Sequence, residues 1–169
     1  QSMTVVLAGA GASATVDGLF LADGHRHIDN RTLLEHQAPA TTSRESFRGL
    51  ADGHGRGVFN GKIIVRQDAQ KTNAKQTNKA LLLSDDAQVN TKPQLEIFAD
   101  DVKCTHGAAI GQLDEDAMFY MQARGISYQD ARNLLIHAFA GEVLDSVKED
   151  VVRERAMRLL EEKLSLWKV

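Results

Sequence analysis

The sequence has a single cysteine, Cys104, among 169 residues. No internal disulfide framework can form, and the chain is compatible with a reducing compartment. Cations are not in excess either. Twenty Lys and Arg stand against 23 Asp and Glu, for a formal charge of −3 and a pI near 6.1. That excludes the basic footprint of a nucleic-acid binder. No Lys/Arg-rich amphipathic segment of the membrane-surface kind is present. Apolar runs last only a few residues, too short to span a bilayer. No signal peptide is visible, so a cytoplasmic location is expected. The G-x-x-x-x-G-K-[ST] phosphate loop of an ATPase is missing as well. Residues 1–3, Gln1-Ser2-Met3, read as a tag remnant outside the fold. Thr4–Ala8 then opens abruptly as a strand, as expected of a fragment of a longer protein.

What is present centres on Pro93–Gly111, PQLEIFADDVKCTHGAAIG. Leu95, Ile97 and Ala99 alternate with Glu96, Phe98 and Asp100, the period of a two-faced strand. Val102, Cys104 and His106 alternate on the other parity. Asp100-Asp101 is therefore expected to hide a bend or bulge that re-aims the face. If the second half stays extended, Cys104 and His106 project to one side, about 7 Å apart at Cα. Thiolate beside imidazole is half of a soft-metal site, and imidazolium lowers a neighbouring thiol's pKa. A buried cysteine acting as a small apolar residue, next to a histidine at a turn, fits the same letters. A closed zinc site needs four ligands in patterned pairs, and no second cysteine exists. A site built on this pair must draw on another chain or an exogenous ligand.

Upstream, residues 4–8 and 14–22 read as strands around Gly9–Ser13. VVLAGAGASA has the look of a dinucleotide fingerprint, but Thr15–Leu21 is strand-like where a helix must begin, so the glycines mark a turn. Next come His25, His27 and His36. Either they are part of a metal set, or they are polar residues at turns and between the layers of a repetitive sheet. From Ser46 to Val102 short apolar runs recur at Phe47–Leu50, Val58-Phe59, Ile63–Val65, Leu81–Leu83 and Leu95–Ala99. Polar, Asn-rich links separate them, including Asn60-Gly61, which ordinarily signals a hairpin. Irregular spacing of this kind favours a β-solenoid over a sandwich, with a last layer that leaves an edge to be covered.

After Gly111 the period becomes helical. Asp114 caps one expected helix that ends at Arg124-Gly125. Ser127 with Asp130 starts a second, with an apolar face of Ala131, Leu134, Leu135, Ala138 and Phe139, and Gly141 as a possible break. A third begins near Glu149 and carries Val152, Ala156, Leu159, Leu160 and Leu164 on one side.

The segments VFNGKIIVRQDAQKT, NKALLLSDDAQVNTKPQLEIFADDVKCTHGAAIG and FYMQARGISYQDARNLL resemble the SufB/SufD family of iron–sulfur cluster assembly scaffolds. The likeness runs from residue 4 to about 165 and is stronger to SufD-type members. SufB-type chains generally continue Cys-x-His with glutamate, whereas Gly107 and Ala108 follow here. The resemblance implies a mainly β chain, a right-handed parallel β-helix over residues 4–112, followed by an α-helical subdomain over 113–169. It implies a non-catalytic subunit of a SufBCD-type complex. That subunit pairs with a SufB-type paralogue, docks a SufC-type ATPase through its C-terminal helices, and aids iron acquisition. Cys104 and His106 fall on the family's Cys-x-His position at the paired interface, with His106 the stronger candidate ligand for iron or a nascent cluster. No stably bound cofactor is expected for this chain alone, and it is expected to form a homodimer when its paralogue is absent. A structural adaptor with an inert pair and, more distantly, a cysteine hydrolase remain as alternatives. The hydrolase needs an oxyanion hole and an orienting group that the sequence does not show.

Overall fold

The structure, a computed structural model, describes residues 1–167. The last two residues of the expected helical subdomain, Lys168 and Val169, lie outside the described residues. Contacts divide the chain into two units, Gln1–Ile110 and Gly111–Val169.

The first unit is a parallel β-solenoid. Eight strands run β1 (Ser2–Leu7), β2 (Ser13–Ala22), β3 (His27–His36), β4 (Thr42–Ala51), β5 (Arg56–Val65), β6 (Asn73–Leu82), β7 (Gln88–Ile97) and β8 (Lys103–Gly111). Consecutive strands do not pair with each other. Odd strands form one sheet in the order β1-β3-β5-β7, and even strands form the other, β2-β4-β6-β8. Each strand therefore waits for a parallel neighbour almost thirty residues on. Ser2 lies opposite Arg31, Thr42 opposite Asn73, and Arg56 opposite Gln88, so the period grows from 29 to 31 and then 32 residues. The corners absorb the growth. Arg66–Thr72 has two more residues than the equivalent Gln37–Thr41, and Leu83–Ala87 has one more than Asp52–Gly55. β1 opens at Ser2 rather than Thr4, with Ser2 and Met3 paired to Arg31 and Thr32.

Asn60-Gly61 makes no hairpin. It sits in the middle of β5, opposite Arg31 and Thr32 on one side and Lys92 and Pro93 on the other. Its glycine answers to packing, because a Cβ there would run into Nε2 of Gln76 and lie 2.6 Å from the Phe59 ring. Close approach, not a turn, fixes this residue.

Inward-facing residues fill the solenoid. Phe59, Leu34, Leu50, Ile63 and Val65 are fully buried, and the Phe47 and Phe59 rings meet at 4.7 Å. The interior also holds polar layers, each with specific partners. His36 is fully buried, with Nδ1 2.8 Å from Thr41 Oγ1 and Nε2 2.9 Å from Ser43 Oγ. Thr41 Oγ1 in turn lies 3.0 Å from Thr72 Oγ1, one layer up. Hydrogen bonds on both ring nitrogens are what allow an imidazole to be buried. Burial also pushes the His36 pKa down, favouring the neutral ring.

The second unit holds α1 (Glu115–Gln122), α2 (Tyr128–Leu144) and α3 (Asp150–Leu166), with α1 packed on α2 and α2 on α3. Asp114 accepts from the amide of Ala117 at 3.0 Å, and Gly125 takes a φ of 84° past the end of α1. Ser127 Oγ accepts from the Asp130 amide at 3.1 Å and donates to Asp130 Oδ2 at 2.6 Å, a reciprocal cap. Gly141 does not break α2, which runs on to Leu144. The buried side of α2 is Ala131, Arg132, Ile136, Ala140, Val143 and Leu144, while Leu134 and Ala138 are exposed. Ala131 of the expected stripe is buried and Leu135 and Phe139 are half-buried, so the spacing finds part of the buried face and misses Ile136 and Val143. No helix among the described residues is long and apolar enough to cross a membrane.

Candidate functional site

Between Leu95 and His106 the chain does more than bend. β7 ends at Ile97, Phe98–Val102 turn the corner, and β8 joins the opposite sheet. The corner is pinned to the one beneath it. Lys71 N donates to Asp101 O at 2.6 Å, and Asp101 N to Gln70 Oε1 at 3.0 Å. The change of parity at Asp100-Asp101 marks the passage between sheets. β8 then stacks on β6 through a bond from Lys103 N to Thr72 O of 2.8 Å.

β8 is the last strand of its sheet, with its far edge unpaired by any described strand. Thr105–Gly111 are exposed throughout. Ile97, Phe98 and Ile110 add 40, 57 and 42% exposed apolar side chains near this end. Cys104 and His106, two apart on a strand, share one side. Their surroundings differ. Cys104 is half-buried against Leu34, Ile63, Val65, Ala69, Ala74 and Ala99. That burial pushes its thiol pKa up, while the Ala74 backbone pulls the other way more weakly. His106 is exposed. Among the described residues no three His, Cys, Asp or Glu side chains gather to hold a metal ion.

His25, His27, His36 and His54 do not converge on this pair, and only His25 and His54 of these meet each other. His36 belongs to the polar layer inside the solenoid. His25 and His54, in successive corners, stack with centroids 4.8 Å apart and planes 8° from parallel. His54 Nδ1 lies 3.6 Å from Asp86 Oδ2 in the following corner. His27 is exposed at the start of β3.

Glu45 and Gln76 attract no notice in the sequence, yet both are fully buried. Gln76 Nε2 donates to Glu45 Oε2 at 2.6 Å. Burial pushes the Glu45 pKa up, with Thr32 and Gln76 pulling it back in part. Their signal is parity. They fall in step with Ser43 and Ala74 on the inward side, which shows only once the layers are in register.

Fold and site together define a class: a parallel β-solenoid with an appended helical unit, whose last layer offers an open strand bearing a Cys-x-His pair. The family follows from comparison with known proteins. Residues 1–139 match the model of the SufBD core domain of the SUF system for FeS cluster assembly, and the chain belongs to that family. It is 39% identical over 158 residues to the iron–sulfur cluster assembly protein SufD of Escherichia coli, covering 94% of this chain and 37% of that protein. A SufBD family protein of Synechocystis is 44% identical over 129 residues, covering 76% and 28%. Protein ABCI7, chloroplastic, of Arabidopsis thaliana is 44% identical over 130 residues, covering 76% and 27%. The chain thus spans well under half the length of these relatives, and its likeness is to the SufD type.

Proposed function

We propose that the chain is a non-catalytic scaffold subunit of a SufBCD-type complex, presenting the open edge of β8 to a SufB-type paralogue. His106 serves there as a ligand for iron or a nascent cluster, with Cys104 in a secondary role. The observation that carries this reading is that exposed His106 stands on β8, whose far edge no described strand pairs. Unpaired backbone groups at such an edge favour pairing with another chain. Two same-side ligands are too few to close a site, so the partner supplies the rest.

Neutral imidazole is a common ligand for iron and zinc. A thiol whose pKa is raised by burial is protonated near neutral pH and must lose that proton to bind metal. The same raised pKa works against a cysteine hydrolase, whose nucleophile needs a lowered one. The helical unit is the docking surface for the SufC-type ATPase in this reading. Val151, Val152 and Leu159 on α3 are 78, 56 and 45% exposed and offer it apolar anchors.

A second reading, an inert Cys/His pair in a structural adaptor, draws support from Cys104 alone, which packs on the apolar cluster as a small core residue does. One experiment separates the two. Cluster yield is measured from the reconstituted three-component complex carrying His106→Ala. A clear fall with folding and pairing intact supports the ligand role, and wild-type yield leaves the adaptor.

A further inference from the structure

His106 stands at the end of a row of inward-facing positions. Val16 lies opposite Glu45, and Glu45 opposite Gln76. The bond from Lys103 N to Thr72 O repeats the bond from Asn73 N to Thr41 O one layer earlier, where Asn73 sits opposite Thr42. The same offset sets Lys103 opposite Asn73, Cys104 opposite Ala74, and His106 opposite Gln76. The thiol's interaction with the Ala74 backbone agrees with that register. Glu45, Gln76 and His106 therefore occupy one row along the solenoid, the first two sealed in its interior and the third at its open end.

The Gln76 amide is held in a definite place. Glu45 Oε2 accepts from its Nε2 at 2.6 Å, and Gly61 on β5 leaves the space into which that nitrogen reaches. Its other end is idle, because Oε1 is buried without a hydrogen-bond partner. A buried acceptor left without a donor is uncommon and calls for an explanation. The residue opposite it on the next strand carries a ring N–H. Metal-binding imidazoles commonly donate their second N–H to a carbonyl or carboxylate oxygen, which sets the tautomer and aims the other nitrogen.

We propose that Gln76 is a positioning residue for His106. With Glu45 fixing Nε2, a turn of the exposed His106 side chain, whose ring does not reach Oε1 in this structure, brings one ring N–H to that oxygen, and the other ring nitrogen then faces out of the open layer as an acceptor. This rests on the reading of His106 as a ligand, and it supplies the second partner that such a ligand needs from its own chain.

Nitrogen-15 NMR of the metal-free chain tests the contact without any metal. His106 is expected to hold a single tautomer, whereas exposed His27, as internal reference, shows the mixture of a solvated ring. An identical mixture at both positions overturns the proposal. Gln76→Leu is expected to return His106 to the His27 mixture. Should that variant fail to fold, the wild-type comparison still decides. A second arm titrates Co²⁺ into the assembled complex, where Gln76→Leu is expected to weaken uptake by about 10–100-fold. If His106→Ala weakens Co²⁺ uptake and folded Gln76→Leu does not, the positioning role falls and the ligand role stands. If His106→Ala changes nothing, the ligand role falls and takes the positioning role with it.

Discussion

β6 and β8 are neighbours in one sheet, built on the same alternation, and they have opposite fates. On β6 the inward residues Ala74, Gln76, Asn78 and Ala80 are all buried. On β8 every residue but half-buried Cys104 is exposed. Nothing in the two strings of letters dictates this. A strand becomes core in a solenoid when the next layer arrives, and the last layer keeps an interior pattern facing outwards. A polar residue on such a strand is released from the demands of burial and is available to a partner.

The sharpest way to break the comparison is to overfill both ends. A Cβ on Gly55 would fall on the backbone carbonyl of Ala22, which cannot step aside, whereas Gly107 on β8 has nothing within 4 Å. Gly55→Ala is expected to cost about 3 kcal/mol. Gly107→Ala is expected to stay within about 0.5 kcal/mol of wild type. Urea midpoints read both, and equal losses would mean that β8 is as enclosed as the inner layers.

Next in size comes the polar interior. His36→Leu leaves Thr41 and Ser43 short of a partner and is expected to cost about 2 kcal/mol. Its pH signature is more telling. The lowered pKa of His36 means that stability is intact above the unfolded value of about 6.5 and is lost as pH falls below it. Glu45 has the opposite sign. Its raised pKa gives stability that is full below the unfolded carboxyl value, about 4.3, and is lost as pH rises through the folded one. Melting curves against pH should lose their acid-side dependence near pH 6.5 in His36→Leu and their rise-of-pH dependence in Glu45→Gln. Unchanged profiles would remove both groups from the interior.

The smallest effect sharpens the contrast with the helices, whose ends are secured by local caps rather than by a distant layer. Ser127→Ala should cost about 1 kcal/mol. Hydrogen exchange should quicken in the first turn of α2 while the amides of β3–β6 hold their protection.

The strands, the solenoid and the caps were legible because each leaves a local mark: alternation, polar corners, Asp114, and Ser127 with Asp130. What escaped was decided at a distance. Asn60-Gly61 carries a turn signal, yet it is overruled by Gln76 and Phe59 packing on Gly61. The α2 stripe was placed only in part, because Ala131 is buried as expected while Ile136 and Val143 outcompete Leu134 for burial. The Cys104/His106 pair was visible as letters, and so was the parity change before it. The row linking His106 to Gln76 and Glu45 was not, since corners of unequal length hide the correspondence.

That spacing between paired strands also sets a tempo. A strand's partner is made 29 to 32 residues after it, and ribosomes deliver roughly 5–20 residues per second. Each of β1 to β6 accordingly waits about 1.5–6 s with a bare edge before its own chain can cover it. Successive layers close in order, and each of β1 to β6 has a relief already being synthesised. β7 and β8 are the two strands whose far edges no later strand among the described residues covers, and for them the same clock keeps running.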